Sequence, residues 1–101
     1  MLELRPTCEH CNRALPPASP DARICSFECT FCADCVDQVL HDVCPNCGGG
    51  FVPRPIRPAH DWTGPWLGNR PATTTATYQP VDLTRLAALH ARIGSRSPFE
   101  R

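Results

Sequence analysis

The sequence contains no lysine, so its ten basic side chains are all arginine. No side-chain amine is therefore open to acetylation or to a ubiquitin-like modifier. Long apolar runs are also missing: nothing approaches the ~18 residues that cross a bilayer. The first residues include Glu3 and lack the apolar run of a secretory signal. The expectation is a cytoplasmic protein without a membrane segment, in a compartment that keeps thiols reduced. At 101 residues the chain has room for one small domain and not for a large enzyme.

Proline and cysteine are abundant instead, at twelve and eight residues. All eight cysteines fall between Cys8 and Cys47, so their chemistry serves only the first half of the chain. A segment of this size buries too little apolar surface to fold without disulfides, metals or a partner. Under reducing conditions clustered cysteines read as metal ligands.

The order is Cys8-x2-Cys11, thirteen residues, Cys25-x3-Cys29-x2-Cys32-x2-Cys35, eight residues, then Cys44-x2-Cys47. A two-residue spacer turns the chain back so that two sulfurs reach one ion at ~2.3 Å, with backbone amides free to donate to the thiolates. Gly48, Gly49 and Gly50 supply permissive backbone after the last pair. The ligands are then Cys8, Cys11, Cys25, Cys29, Cys32, Cys35, Cys44 and Cys47, filling two closed, structural zinc sites.

Three partitions keep the pairs intact. Sequential sharing puts Cys8, Cys11, Cys25 and Cys29 on one ion. Nested sharing crowds Cys25, Cys29, Cys32 and Cys35 onto one. Interleaved sharing puts Cys8, Cys11, Cys32 and Cys35 on the first and Cys25, Cys29, Cys44 and Cys47 on the second. Interleaving is the expected arrangement, because the Pro16–Ala22 loop and the segment after Cys35 then tie both ions into one unit.

The intervening residues suit a small α+β finger. Ile24 and Phe27 flank Cys25, and Thr30-Phe31 precedes Cys32, which predicts a short β-hairpin with apolar side chains between the sites. From Ala33 to His41 the pattern predicts a helix of about two turns, with Val36, Val39 and Leu40 on one face. Phe51-Val52 is expected to add a third short strand.

This order of ligands, with Cys-Pro-x-Cys at its end, resembles the cross-brace RING finger, with Cys29 in the slot usually held by histidine. Phe31 before Cys32 and Pro45 after Cys44 match frequent residues of that pattern. More closely, Leu15-Pro16-Pro17, the run from Ile24 to Cys35, and Cys44-Pro45-Asn46-Cys47-Gly48-Gly49 resemble a bacterial family of short cysteine-rich proteins known as a domain of unknown function. That likeness spans about residues 1–58. It implies zinc binding and a finger fold, and brings no established activity. RING ligases typically carry an aliphatic residue inside the first pair, which contacts the conjugating enzyme, and often a basic residue after the last cysteine. Here those positions hold His10 and Gly48.

Other candidates are weaker. Cys44-Pro45-Asn46-Cys47 lacks the helix that makes a redox dithiol. Metal storage would not need the interleaved apolar residues. His10, His41, His60 and His90 read as surface histidines, with His41 near enough to Cys44 to replace a ligand, and His60-Asp61 has no nucleophile beside it.

Residues 1–50 carry three arginines against seven acids, net −4, and residues 51–101 seven against three, net +4. A zinc ion with four thiolates adds −2, so a loaded finger is strongly acidic and poorly suited to nucleic acid. Any such contact would fall to the tail over 59–101 and to Arg54, Arg57 and Arg70.

The finger domain is expected over 1–58, and the Pro53–Pro58 segment is expected as an extended strut. Trp62 and Trp66 are expected to fold back on the finger or dock on a partner. Thr73–Thr77 reads as a mobile spacer. A helix is predicted over 81–93, capped by Asp82, with Leu83, Leu86, Ala87 and Ile93 on one side and Gly94 as its stop. Ser95–Arg101 is expected to fray. The functional expectation is a zinc-binding protein–protein adaptor, not an enzyme, with a RING-type ligase component or a nucleic-acid-associated regulator as alternatives.

Overall fold

Cysteines three or four residues apart leave space only for short elements, and short elements are what form. A computed structural model describes every residue from Met1 to Arg101. Strands β1 (Ala22–Ile24), β2 (Thr30–Cys32) and β3 (Val52–Pro53) make an antiparallel sheet in the order β2-β1-β3. Ala22 opposes Cys32 and Ile24 opposes both Thr30 and Val52. Pro53, which has no N–H, lies on an edge strand, where a missing donor is tolerated.

The Cys25–Cys29 loop closes the β1–β2 hairpin, with Cys25 N–H donating to Cys29 O at 3.2 Å. Ile24 is buried as expected, whereas Phe27 is 72% exposed and takes no part in the core. Phe27 lies in the turn itself, after the strand's alternation of faces has ended.

Helix α1 (Ala33–Cys35) continues directly into a π-helical turn (Val36–Leu40). Left-handed His41 and Asp42 stop it, and Val36 O accepts from the N–H of both. Val36 and Leu40 face the core with Leu15, Ala22 and Phe31. Phe51 packs edge-on against Phe31, with ring centroids 5.5 Å apart.

The chain beyond 58 is fastened to the finger. Helix α2 (Leu83–Ile93) begins where Asp82 accepts from the N–H of Thr84 (3.0 Å) and Arg85 (3.2 Å), and ends at Gly94. Leu86 is 4% exposed within the core cluster, and burying one such side chain contributes about 1.5–3 kcal/mol. The inward side differs from the expected one: Leu86, Leu89, His90 and Ile93 are buried or half-buried, while Leu83 and Ala87 are exposed. Two polar ties set this rotation. Val81 N–H donates to His10 Nδ1 (2.9 Å), and His90 Nε2 meets Leu40 O (2.9 Å).

Arginines 54 and 57 hold the intervening chain. Buried Arg54 donates to the carbonyls of Arg5 (2.8 Å), Leu15 (3.2 Å) and Pro16 (3.1 Å), and Arg57 to those of Arg70 (2.6 Å) and Leu2 (2.7 Å). Burial lowers the pKa of Arg54, but a guanidinium stays charged at neutral pH.

Several tail expectations need correction. Thr73 is not free, because its N–H donates to Leu4 O at 3.0 Å. The C-terminus, expected to fray, forms a 3-10 turn (Pro98–Glu100), and Arg101 donates to Asp42 O (2.8 Å) and Gly48 O (3.2 Å). Trp62 is 76% exposed and does not fold onto the finger. Trp66 lies over Gly68, where its ring leaves no space for a Cβ, and so closes its own loop.

Candidate metal centres

Two of the cysteine pairs are built alike. Cys8 N–H donates to Arg13 O (2.9 Å) and Asn12 N–H to Cys8 O (2.9 Å); Cys44 N–H donates to Gly49 O (2.8 Å) and Gly48 N–H to Cys44 O (2.8 Å). In both, the residue after the second cysteine is left-handed, Asn12 at φ 63° and Gly48 at φ 78°. Asparagine and glycine are the residues that take this conformation most readily. Of the three successive glycines, only Gly48 needs the freedom.

The other pairs come from the sheet and helix. Cys25 follows β1, Cys29 precedes β2, Cys32 ends β2, and Cys35 lies in the first helical turn. Backbone N–H groups point at sulfur throughout: Phe27 to Cys25 (3.3 Å), Cys35 to Cys32 (3.4 Å) and Gly49 to Cys47 (3.4 Å). Such donors stabilise thiolate and orient it.

These elements gather Cys8, Cys11, Cys32 and Cys35 into one group whose sulfurs all lie within 4.8 Å of one another. The Cys11 and Cys32 sulfurs are 3.8 Å apart. A tetrahedron with ~2.3 Å metal–sulfur arms has edges of about 3.8 Å, which the Cys11–Cys32 separation matches, so the set is close to what a dication would hold. A second group holds Cys25, Cys44 and Cys47. Cys29 stands just outside it, next to Cys25 and with Asn46 Nδ2 3.4 Å from its sulfur. Neither sequential nor nested sharing is compatible with these groups.

The thiols interact as crowded like charges do. Burial tends to raise Cys8, but the backbone N–H groups of Cys11, Cys32 and His10 outweigh it and hold this thiol below its ordinary value. In Cys25, burial is likewise outweighed by the N–H groups of Phe27 and Cys29. Burial raises Cys35, with Cys32 and Cys8 adding to it, and burial also raises Cys44, with Cys29 and Cys25 adding. Each cluster therefore pairs a thiol poised to ionise with one that resists. Only a cation among them lets all the sulfurs be thiolate together. Filled by four thiolates, such a site keeps no open position and serves to hold the fold.

Residues without any ligand signature brace the clusters. Glu9, 4% exposed, accepts from Arg5 Nη1 (2.7 Å) and from Thr30 N–H. Arg13 joins Asp21 (2.9 Å) and Asp34 (3.3 Å) on the surface. Nothing in the spacing marks Glu9 or Asn46; only their places inside the Cys-x2-Cys loops point to them.

The histidines are outside both sulfur groups. His10 and His90 carry the polar ties to the tail, His41 lies 5.8 Å from the ring of His90, and His60 meets the edge of Trp62 at 6.2 Å. Asp61 accepts from Gly64 N–H (2.7 Å) and so shapes its loop.

Residues 1–57, which hold all eight cysteines, match the family described as "Protein of unknown function (DUF1272)". An uncharacterized protein of Rhizobium meliloti (strain 1021) is 54% identical over 80 residues, covering 79% of this chain and 89% of that protein. That match is longer than the 57-residue family segment, so it takes in part of the tail. No solved structure matches the chain. With more than half of its length matched, the chain belongs to the DUF1272 family.

Proposed function

We propose that the protein is a two-zinc module with RING-like cross-brace connectivity that acts as a protein–protein adaptor. The observation that carries the metal reading is the convergence of Cys8, Cys11, Cys32 and Cys35, from two separate stretches of chain, within 4.8 Å. Structural zinc contributes ~10–16 kcal/mol per site in finger peptides, more than so small an apolar core nets. Cys8, Cys11, Cys32 and Cys35 would hold one ion, and Cys25, Cys29, Cys44 and Cys47 the other.

The adaptor reading is supported by Trp62, which is 76% exposed on a loop braced by Asn69, whose side chain bonds Trp66 N–H (3.0 Å) and Gly64 O (2.9 Å). A rigidly presented tryptophan is a common anchor of protein interfaces. The ligase alternative is less favoured, since His10 occupies the usual contact position for a conjugating enzyme and is engaged by the chain's own Val81. The nucleic-acid alternative loses Arg54 and Arg57, whose guanidiniums are bonded to backbone carbonyls.

Elemental analysis of purified protein tests the metal reading. Two zinc ions per chain are expected; fewer than two rejects the two-zinc reading, and less than one, or circular dichroism unchanged by chelation, rejects structural metal altogether. For the adaptor, proteins captured by the intact chain are expected to be lost with Trp62→Ala, and an unchanged set would move the contact elsewhere.

A further inference from the structure

The two cysteine clusters are supported unequally. The Cys8–Cys11 loop is braced within the finger: Thr7 bridges Ala14, Glu9 N–H donates to Thr30 O (3.0 Å), and Arg13 reaches Asp21 and Asp34. The Cys44–Cys47 loop is followed by three glycines, the residues with most conformational freedom to lose. Its outer side faces a cleft of about 510 Å³ whose far wall includes Leu89, Ile93 and the C-terminal turn.

The tail makes specific contacts there. Ile93 Cδ1 is 3.7 Å from the point where a Cβ on Gly48 would lie, and Pro98 Cγ is 2.9 Å from the equivalent point on Gly50. Arg101 donates to Gly48 O and Asp42 O, on either side of the cysteine pair. Arg92, Arg96 and Arg101 line the same cleft as exposed Cys47. Glu100 lines it too, and Arg96 and Arg101 donate to backbone carbonyls. Three guanidiniums against one carboxylate still leave the cleft on the side of charge that suits the net −2 of a filled four-thiolate site.

We infer that residues 89–101 are the clamp of the second metal site, positioning the Cys44–Cys47 loop so that it closes on an ion with Cys25 and Cys29. The inference rests on the metal reading above. Coupling between sites is reciprocal, so metal at the second site tightens the docking of this segment by the factor by which the docked segment tightens metal. The first site does not share the effect, because its Cys8–Cys11 loop is held by the finger and, from the tail, by Gln79 and Val81, which lie outside residues 89–101.

Cobalt(II) titration of the full chain, followed through thiolate charge-transfer absorption, tests this with the Ile93→Ala/Arg101→Ala double variant and the milder Arg101→Lys. The wild type should take up two equivalents. In the double variant the first is expected to bind unchanged and the second roughly 5- to 50-fold more weakly, within the range of such couplings. Arg101→Lys should fall between. In the wild type, amide exchange over 44–50 and 89–93 should slow with the second equivalent and not with the first. Equal weakening of both equivalents, or a double variant that titrates like the wild type, overturns the clamp. A wild type that binds fewer than two equivalents rejects the two-metal reading itself, a different result.

Discussion

Glu9 and Thr30 are joined twice: Glu9 N–H donates to Thr30 O, and Thr30 N–H donates to the Glu9 carboxylate. Glu9 follows Cys8 and Thr30 follows Cys29, so this pair links the first cysteine loop to the hairpin that carries the other sulfurs. Arg5 balances the buried charge. Arg5 is partly exposed and keeps Glu3, so the cost of Glu9→Ala is mainly the stranded Thr30 N–H, about 1–3 kcal/mol in denaturant unfolding of the metal-loaded protein, and Glu9→Gln, which keeps one acceptor, should cost less.

Arg54 gives a second prediction. Its fork satisfies three carbonyls from two separate stretches of chain, and a single ammonium cannot reproduce that geometry. Arg54→Met removes this donor from the Arg5 and Leu15 carbonyls, while Pro16 O keeps Ser19 N–H, and should cost about 2–4 kcal/mol. Arg54→Lys should recover only part of it, as read by thermal unfolding of the loaded protein.

The two leucines of α2 separate face from composition. Leu86 is in the core and Leu83 is 61% exposed. Leu86→Ala is expected to destabilise by about 2–4 kcal/mol and to raise proteolysis of the tail, whereas Leu83→Ala should change little.

That contrast shows where sequence reasoning reaches its limit. Cysteine spacing reported the pairs that cluster because each spacer is a local turn, and the hairpin around Cys25 and Cys29 was equally local. The cap at Asp82 and the stop at Gly94 were legible for the same reason. The face of α2 was legible only in part: Leu86, Leu89 and Ile93 share one stripe with Leu83 at its edge, so the apolar pattern fits more than one rotation, and the choice is made by the Leu40 carbonyl and His10, 50 and 71 residues away from their partners. Arg54 read as part of an extended strut, since its role depends on carbonyls at Leu15 and Pro16 that no local pattern brings near. Cys29 was legible as a ligand type, but its offset from the Cys25, Cys44 and Cys47 group was not.

Acid should release the metal. Burial holds Cys35 and Cys44 above the ordinary thiol value, so an ion must displace their protons. The sign follows: protons compete with metal, so zinc-dependent stability is present at neutral and alkaline pH and is lost as pH falls. Zinc affinity measured by competition is expected to drop steeply between about pH 7 and pH 5, with up to about four protons taken up per ion released. A pH-independent affinity would mean that the thiols are not the ligands.

The central claim is that the sulfurs are shared in an interleaved fashion between two ions. Cadmium-113 NMR of the fully loaded chain tests it directly, because scalar couplings connect each metal resonance to the β-protons of its own cysteines. Two resonances are expected, one coupled to Cys8, Cys11, Cys32 and Cys35, the other to Cys25, Cys29, Cys44 and Cys47. A single resonance, or one coupled to both the Cys8–Cys11 and the Cys25–Cys29 pairs, would contradict it.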